Sequence, residues 1–164
     1  MKADQLNFNG QRFKPSEWPL GTLSQMDAKV ITALFDVRNN VPPTHAIYPS
    51  PLYGAHVRND DTGSRHSIVN GTRLSDATDF FCRKAHLPRI FMEIMKHPRI
   101  NGCGFYLGST FQGNSEDWML VHIDTRPHYE KSFWAAEKIN NNYVYHSLLR
   151  NPQKYFQILE EIAQ

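Results

Sequence analysis

Between Trp118 and Asp124 the sequence reads Trp-Met-Leu-Val-His-Ile-Asp, and this run constrains the fold more than any other. Side chains alternate between the two faces of a strand, so Met119, Val121 and Ile123 share one wholly apolar face, while Trp118, Leu120, His122 and Asp124 share the other. The apolar face must lie on a core. The opposite face carries an imidazole and a carboxylate side by side, about 6.6 Å apart along the strand, within reach of one metal ion or its water.

The rest of the chain supplies what such a strand needs. Residues 1–23 are polar and interrupted by Pro and Gly, and read as an irregular arm. Ser24 is placed to cap a helix in which Met26, Val30, Ile31, Leu34 and Phe35 recur at helical spacing, ending near Asn39-Asn40 before Pro42-Pro43. Ala46–Tyr48 and Leu74–Cys82 read as strands, with a long loop rich in turn formers up to Arg65 between them, of a kind usually functional. Leu87–Lys96 is a helix opened by Pro88, and Gly102-Cys-Gly-Phe-Tyr106 a glycine-rich entry to a strand. Beyond Pro127, Phe133, Trp134, Ala136 and Ile139 read as helical, followed by a terminal helix capped by Asn151 with Pro152 at its first position. Few strands with helices at both ends imply an α+β fold, a small mainly antiparallel sheet flanked by helices. The expectation is one domain over 1–164: the arm at 1–23, a motif-bearing core at 45–127 and C-terminal helices over 128–164.

Composition narrows the chemistry. Eighteen basic against sixteen acidic residues give +2, with the positive charges scattered instead of forming a run that could follow a phosphate backbone, which argues against a nucleic-acid partner. No stretch approaches the ~20 apolar residues of a membrane span, and the N-terminus lacks the apolar core of a secretory signal. Synthesis in the cytoplasm without a signal peptide is therefore expected. Two cysteines, Cys82 and Cys103, preclude both a disulfide framework and a four-thiolate zinc site. Any metal must be held by carboxylates and by some of the eight histidines, most of which could equally be ordinary surface residues.

Upstream of His122, Ser64-Arg65-His66 ends the long loop and Asp79 closes Ser75-Asp-Ala-Thr-Asp79. Two imidazoles and one carboxylate are the ligand set of a catalytic zinc with an open position for water. Ser-x-His, Ala-x-Asp, Gly-x-Gly-aromatic-Tyr and Val-His-Ile-Asp-Thr-Arg-Pro, in that order over roughly residues 45–127, resemble the zinc D-alanyl-D-alanine peptidase family. That family contains murein carboxypeptidases and endopeptidases and shares its fold with the signalling domain of hedgehog proteins. The resemblance implies a hedgehog-like fold, Zn2+ held by His66, Asp79 and His122, and hydrolysis of an amide bond in peptidoglycan stem peptides. It also implies action on the cell wall or in the periplasm, as a phage endolysin, virion component or secreted enzyme.

The sequence departs from the family's pattern at three places. Twelve residues, Ser67–Thr78, separate His66 from Asp79, more than is usual, so either Asn70-Gly71 belongs to an insertion or Asp76 is the ligand; the register with Ala77 and Phe80-Phe81 favours Asp79. The arginine expected before the first histidine is replaced by Pro49-Ser-Pro-Leu52, leaving Arg58 or Arg65 to bind a substrate carboxylate or steady the oxyanion. Met119 and Leu120 stand where a general base is common, and Glu116 and Asp117 lie too far back along the strand. Asp124 then remains as base or as orienter of a histidine or the zinc water. Tyr106 and Trp118 are candidates for the substrate groove, and His128 either supports the site or lies on the surface. Two other readings fit the residues: an inert zinc-stabilised binding module of the same fold, and an iron oxygenase using His122, Asp124 and His146.

Overall fold

The computed structural model describes residues 1–60, 63–68, 73–111, 113, 117–127 and 131–163. Its centre is the Trp-Met-Leu-Val-His-Ile-Asp run: strand β4 (Trp118–Asp124) lies between β2 (Ala77–Arg83) and β3 (Gly102–Tyr106). With β1 (Ile47–Pro49), β5 (Ser132–Ile139) and β6 (Asn142–Ser147) they form a six-stranded sheet in the order β1-β2-β4-β3-β5-β6. Among the described residues four of the five pairings are antiparallel and β3–β5 is parallel. The fold is α+β with a mixed sheet.

One face of the sheet meets three helices, α1 (Ala28–Asn40), α2 (Leu87–Lys96) and α3 (Pro152–Ala163). Phe80 and Cys82, Met119, Val121 and Ile123, and Cys103 and Phe105 point into this core, as do Ile31 and Leu34 of α1, Ile90 and Ile94 of α2 and Ile158 of α3. The proposed caps behave as the chemistry of helix ends requires, with one shift. Asn151 accepts from Lys154 N at 3.3 Å, but α1 is capped by Asp27, which accepts from Lys29 N at 2.9 Å. Ser24 sits one turn earlier in a 3-10 turn, because Asp27 N donates to Ser75 O at 2.7 Å and holds residues 26–27 extended. The N-terminal arm is irregular yet packed: Phe13 and Trp18 are buried, and Arg38 lies 3.9 Å over the Phe13 ring.

Residues 132–147 correct the sequence reading. They form not a helix but the β5–β6 hairpin, whose turn residues Asn140 and Asn141 have φ of 50° and 64°. Positive φ at both central positions is what a two-residue type I′ turn needs, and asparagine tolerates it better than other side chains with a Cβ. The aromatic and β-branched residues Phe133, Trp134, Tyr143, Val144 and Tyr145 suit the pleated sheet. Apolar spacing alone suggested a helix because Phe133, Trp134 and Ala136 face both sides of an interior strand. Of residues 128–164 only 152–163 are helical among those described.

The face away from the helices is open, and the register arranges it in rows. Asp79, His122, Gly104 and Trp134 lie across the strands in one row; Phe81, Leu120, Tyr106 and Ala136 lie in the next. The glycines of β3 are part of this arrangement. A Cβ at Gly104 would overlap the Trp134 indole, and one at Gly102 would overlap the Asp124 carboxylate. Overpacking of this kind costs about 1–3 kcal/mol, so Gly104→Ala should lower the thermal midpoint by several degrees. Calorimetric unfolding checks this, and an unchanged midpoint would mean that the indole moves aside without cost.

Candidate metal centre

Three elements converge on the open face. β2 presents Asp79 and β4 presents His122 directly opposite it in the antiparallel register. His66 comes from the loop, which is tied down locally: Arg58 N donates to His66 O at 2.8 Å, Ile68 N to Arg58 O at 2.9 Å, and Ser67 Oγ to Asp60 at 2.6 Å. The result is a triangle of ligand atoms. His122 Nδ1 is 2.8 Å from Asp79 Oδ1 and 3.0 Å from His66 Nε2, which is itself 3.3 Å from Asp79 Oδ1. All three residues are buried.

This geometry fits a metal ion. Tetrahedral bonds of 2.0–2.2 Å place neighbouring ligand atoms roughly 3.3 Å apart, close to the separations found, and the two-nitrogen, one-oxygen donor set suits a borderline cation. Asp79 is the partner carboxylate. Asp76, one residue before β2 begins, instead binds Arg65, and Arg73 at 3.3 Å.

Asp124 takes one of the two places the sequence left open. His122 Nε2 donates to Asp124 Oδ2 at 3.1 Å, and Arg126 closes on the same carboxylate, through Nε to Oδ1 at 2.7 Å and through a second guanidinium nitrogen to Oδ2. The Arg126 backbone N–H adds a bond of 3.1 Å to Oδ1. Asp124 is fully buried. Its oxygens are occupied in fixing the ring and tautomer of His122, the carboxylate–histidine arrangement by which a metal ligand is oriented.

The charges explain themselves. Burial alone would raise the Asp79 carboxyl, but the attraction of His66 and hydrogen bonds from both histidines hold it far below the usual carboxylate range, while burial lowers the pKa of His66 itself. Burial works against His122 also, yet its bonds to Asp124 and Asp79 push it up to about 9. Without metal, His122 is therefore an imidazolium between two carboxylates.

A cleft of about 420 Å³ opens over the triad, lined by His66, His122, Tyr106, Trp134, Tyr145 and three arginines, Arg58, Arg65 and Arg126. Arg58 and Tyr106, read from the sequence as candidates for substrate binding, line this cleft. Arg65 lines the cleft while paired to Asp76. Trp118 does not: it lies at the far end of β4 with Tyr48 and Phe111, under Arg83. Glu116, His128 and the Asn70-Gly71 dipeptide lie outside the described residues. His146 pairs with Ala135, on the face opposite Trp134, and bonds Glu137 at 3.0 Å, so the set His122, Asp124 and His146 is not brought together.

Two contributors carried no sequence signal of their own. Trp134 rests against His122 with ring centroids 5.1 Å apart, a contact made by the parallel β3–β5 pairing. His56 is a buried brace: Nε2 donates to Ser50 O at 2.7 Å and Nδ1 accepts from Thr78 Oγ1 at 2.8 Å, with burial lowering its pKa to about 4. It joins the long loop to β2.

Two predictions follow from the metal ligands and their support. His122→Ala should abolish stoichiometric zinc binding, whereas Asp124→Ala should retain zinc with an affinity about 10–100-fold lower; competition against a chromophoric chelator reads both, and an unchanged affinity in Asp124→Ala would remove its orienting role. Metal must displace the His122 proton. Between pH 7 and 8, loading should therefore release about one proton per ion, measured by calorimetry in buffers of differing ionisation enthalpy. The sign for the metal-free protein runs the same way: the raised His122 pKa stabilises the fold fully below its unfolded value, about 6.5, and that contribution is lost as pH rises towards about 9.

No family model, curated protein or solved structure matches this chain, so the functional reading rests on the chemistry of the cleft and on the motifs that form it.

Proposed function

We propose that this chain is a zinc-dependent peptidase that hydrolyses an amide bond in short anionic peptides. The stem peptides of peptidoglycan are the members of that class to which the motif resemblance points. One observation carries the reading: His66, Asp79 and His122 set three ligand atoms in a triangle at the floor of a cleft whose walls hold three guanidinium groups. The resemblance to D-alanyl-D-alanine and murein peptidases, and through them to the hedgehog fold, supports it. It extends to action on the cell wall, as an endolysin, a virion component or a secreted enzyme.

His66 Nε2, His122 Nδ1 and Asp79 Oδ1 would hold the ion. Zinc supplies Lewis acidity towards a carbonyl oxygen and activates water for attack near neutral pH. Asp124 keeps His122 turned to present Nδ1, and Arg126 keeps Asp124 in place. Arg58 and Arg65 offer charge-assisted hydrogen bonds to a substrate carboxylate or to an oxyanion developing at the scissile carbonyl. Tyr106, whose pKa is raised by burial and by the Asp79 charge, stays protonated as a neutral donor.

A second reading is favoured by one feature. Among the described residues, the carboxylates of this site are Asp79, in the ligand triangle, and Asp124, held by His122 and Arg126. Neither is free to take a proton from water, which fits an inert zinc-stabilised binding module of the same fold. Incubation of zinc-loaded protein with purified muropeptides, beside a chelated sample, separates the two by mass spectrometry. Chelator-sensitive cleavage is expected, and the product masses identify the bond; intact substrate with stoichiometric zinc bound would favour the inert module over a murein-directed peptidase.

A further inference from the structure

A second cleft opens on the same sheet face as the triad, on the β1–β2 side, where the arginine cleft lies on the β3–β5–β6 side. It measures about 530 Å³ and is lined chiefly by Tyr48, Pro51, Leu52, Phe81 and Phe111. Its rings form one assembly: Phe111 stacks on Phe81 at 4.7 Å and on Tyr48 at 5.6 Å, and Trp118 packs against Phe111 at 4.8 Å. This is not core. Leu52 is 68% exposed and Tyr48 39% exposed, and apolar surface in a concave site of this size is the usual mark of a ligand pocket.

The register ties this cleft to the metal ligands. Phe81 follows Asp79 by one same-face repeat on β2, about 6.6 Å, and Tyr48 pairs with Phe81 across β1. Pro51 and Leu52 directly follow Ser50, whose N–H donates to Asp79 O at 3.0 Å. Row by row, Tyr48, Phe81, Leu120 and Tyr106 run across the strands as an apolar shelf beside Asp79 and His122. A chain lying over the triad with an anionic group among the arginines therefore carries its other side onto this shelf. An extended peptide advances about 3.3 Å per residue, so the cleft lies within reach of a side chain about two residues from an amide placed over the triad. Among the described residues the polar groups at its rim are few, and one of them, Glu17, is already bonded to Arg38 at 3.1 Å and to Lys14 N at 2.7 Å.

We infer that this cleft is a subsite for a bulky apolar side chain, aromatic or branched, of the peptide substrate, and that the preferred substrate is anionic at one end and apolar at the other. The inference rests on the reading of the triad as a peptidase site and adds a selectivity to it. Murein peptides built of alanine, glutamate and a diamino acid would occupy the arginine side and leave the apolar cleft unfilled.

The probes are N-acetyl tetrapeptides with a free C-terminal carboxylate: tetra-alanine, and versions with L- or D-phenylalanine at each position in turn. They are titrated calorimetrically into the zinc-loaded protein, and the same samples are read by mass spectrometry. At one position phenylalanine should bind at least tenfold tighter than alanine. Tyr48→Ser and Phe111→Ser, which alter a half-exposed edge-strand ring and a loop ring, should remove that preference and leave tetra-alanine and murein peptide affinities unchanged; zinc stoichiometry confirms that these variants fold. Equal affinity across the series, no binding by any member, a preference that survives both variants, or murein binding lost in them would each overturn the subsite. Peptides bound with the preference but left uncut would fail the peptidase reading alone, and peptides cut without the preference would fail the subsite alone.

Discussion

Two imidazoles and two carboxylates are buried together on one face of a β-sheet, and the rest of the site is arranged around making that tolerable. An isolated buried charge costs several kcal/mol, and only close partners with good hydrogen bonds offset it. Here the charges alternate: Asp79, His122, Asp124 and Arg126 form a chain in which each group bonds the next. A divalent cation in place of the His122 proton keeps that alternation and adds His66 to it. The cluster could therefore hold a cation without disturbing its alternation of charge. Removing a single member leaves its neighbours uncompensated, so Asp124 would act on a bound metal through His122 with no direct contact.

The sheet supplies the rigidity that such a cluster needs. Asp79 and His122 are cross-strand partners, and β3 closes the other side of β4 with glycines where the Asp124 carboxylate and the Trp134 indole need space. Ligands fixed on paired strands hold their separation better than ligands on loops. The loop ligand, His66, is made comparably firm by the short parallel bridge between Arg58 and Ser67 and by the His56 brace below it. An imidazole kept neutral by burial, as His56 is, can donate and accept at once, which a protonated histidine could not do.

Much of this was legible because the information is local. Alternation in Trp118–Asp124 fixes which side chains share a face, and Ala77-x-Asp79 carries the same period, so the choice of Asp79 over Asp76 follows from strand register. Other parts were not local. The hairpin of β5 and β6 turns on Asn140-Asn141, a signal weaker than Asn-Gly, and its apolar residues serve both faces of an interior strand, which erases the alternation that identifies an edge. Trp134 reaches His122 only through the β3–β5 pairing, and Trp118, four residues from His122, stands two same-face repeats up the strand, too far for the arginine cleft. The role of Asp124 depended on which imidazole nitrogen faced it, and no spacing rule contains that.

The open face also shows how one small sheet carries two unlike surfaces, one charged and one apolar. Rows of side chains run across the strands at right angles to the alternation, so a residue two places along each strand belongs to a different surface with no change in the core beneath it. Asp79 and Phe81, or His122 and Leu120, are separated by one such step: the first of each pair belongs to a charged row and the second to an apolar one. Burial of Phe80, Val121 and Phe105 between and behind these rows fixes their spacing. A ligand bridging the rows would be measured against a rigid ruler with about 6.6 Å between marks, and the arginines at one side would give it a direction. Selectivity would then come from the pattern of polar and apolar groups along an extended chain, which β-strand geometry is suited to read.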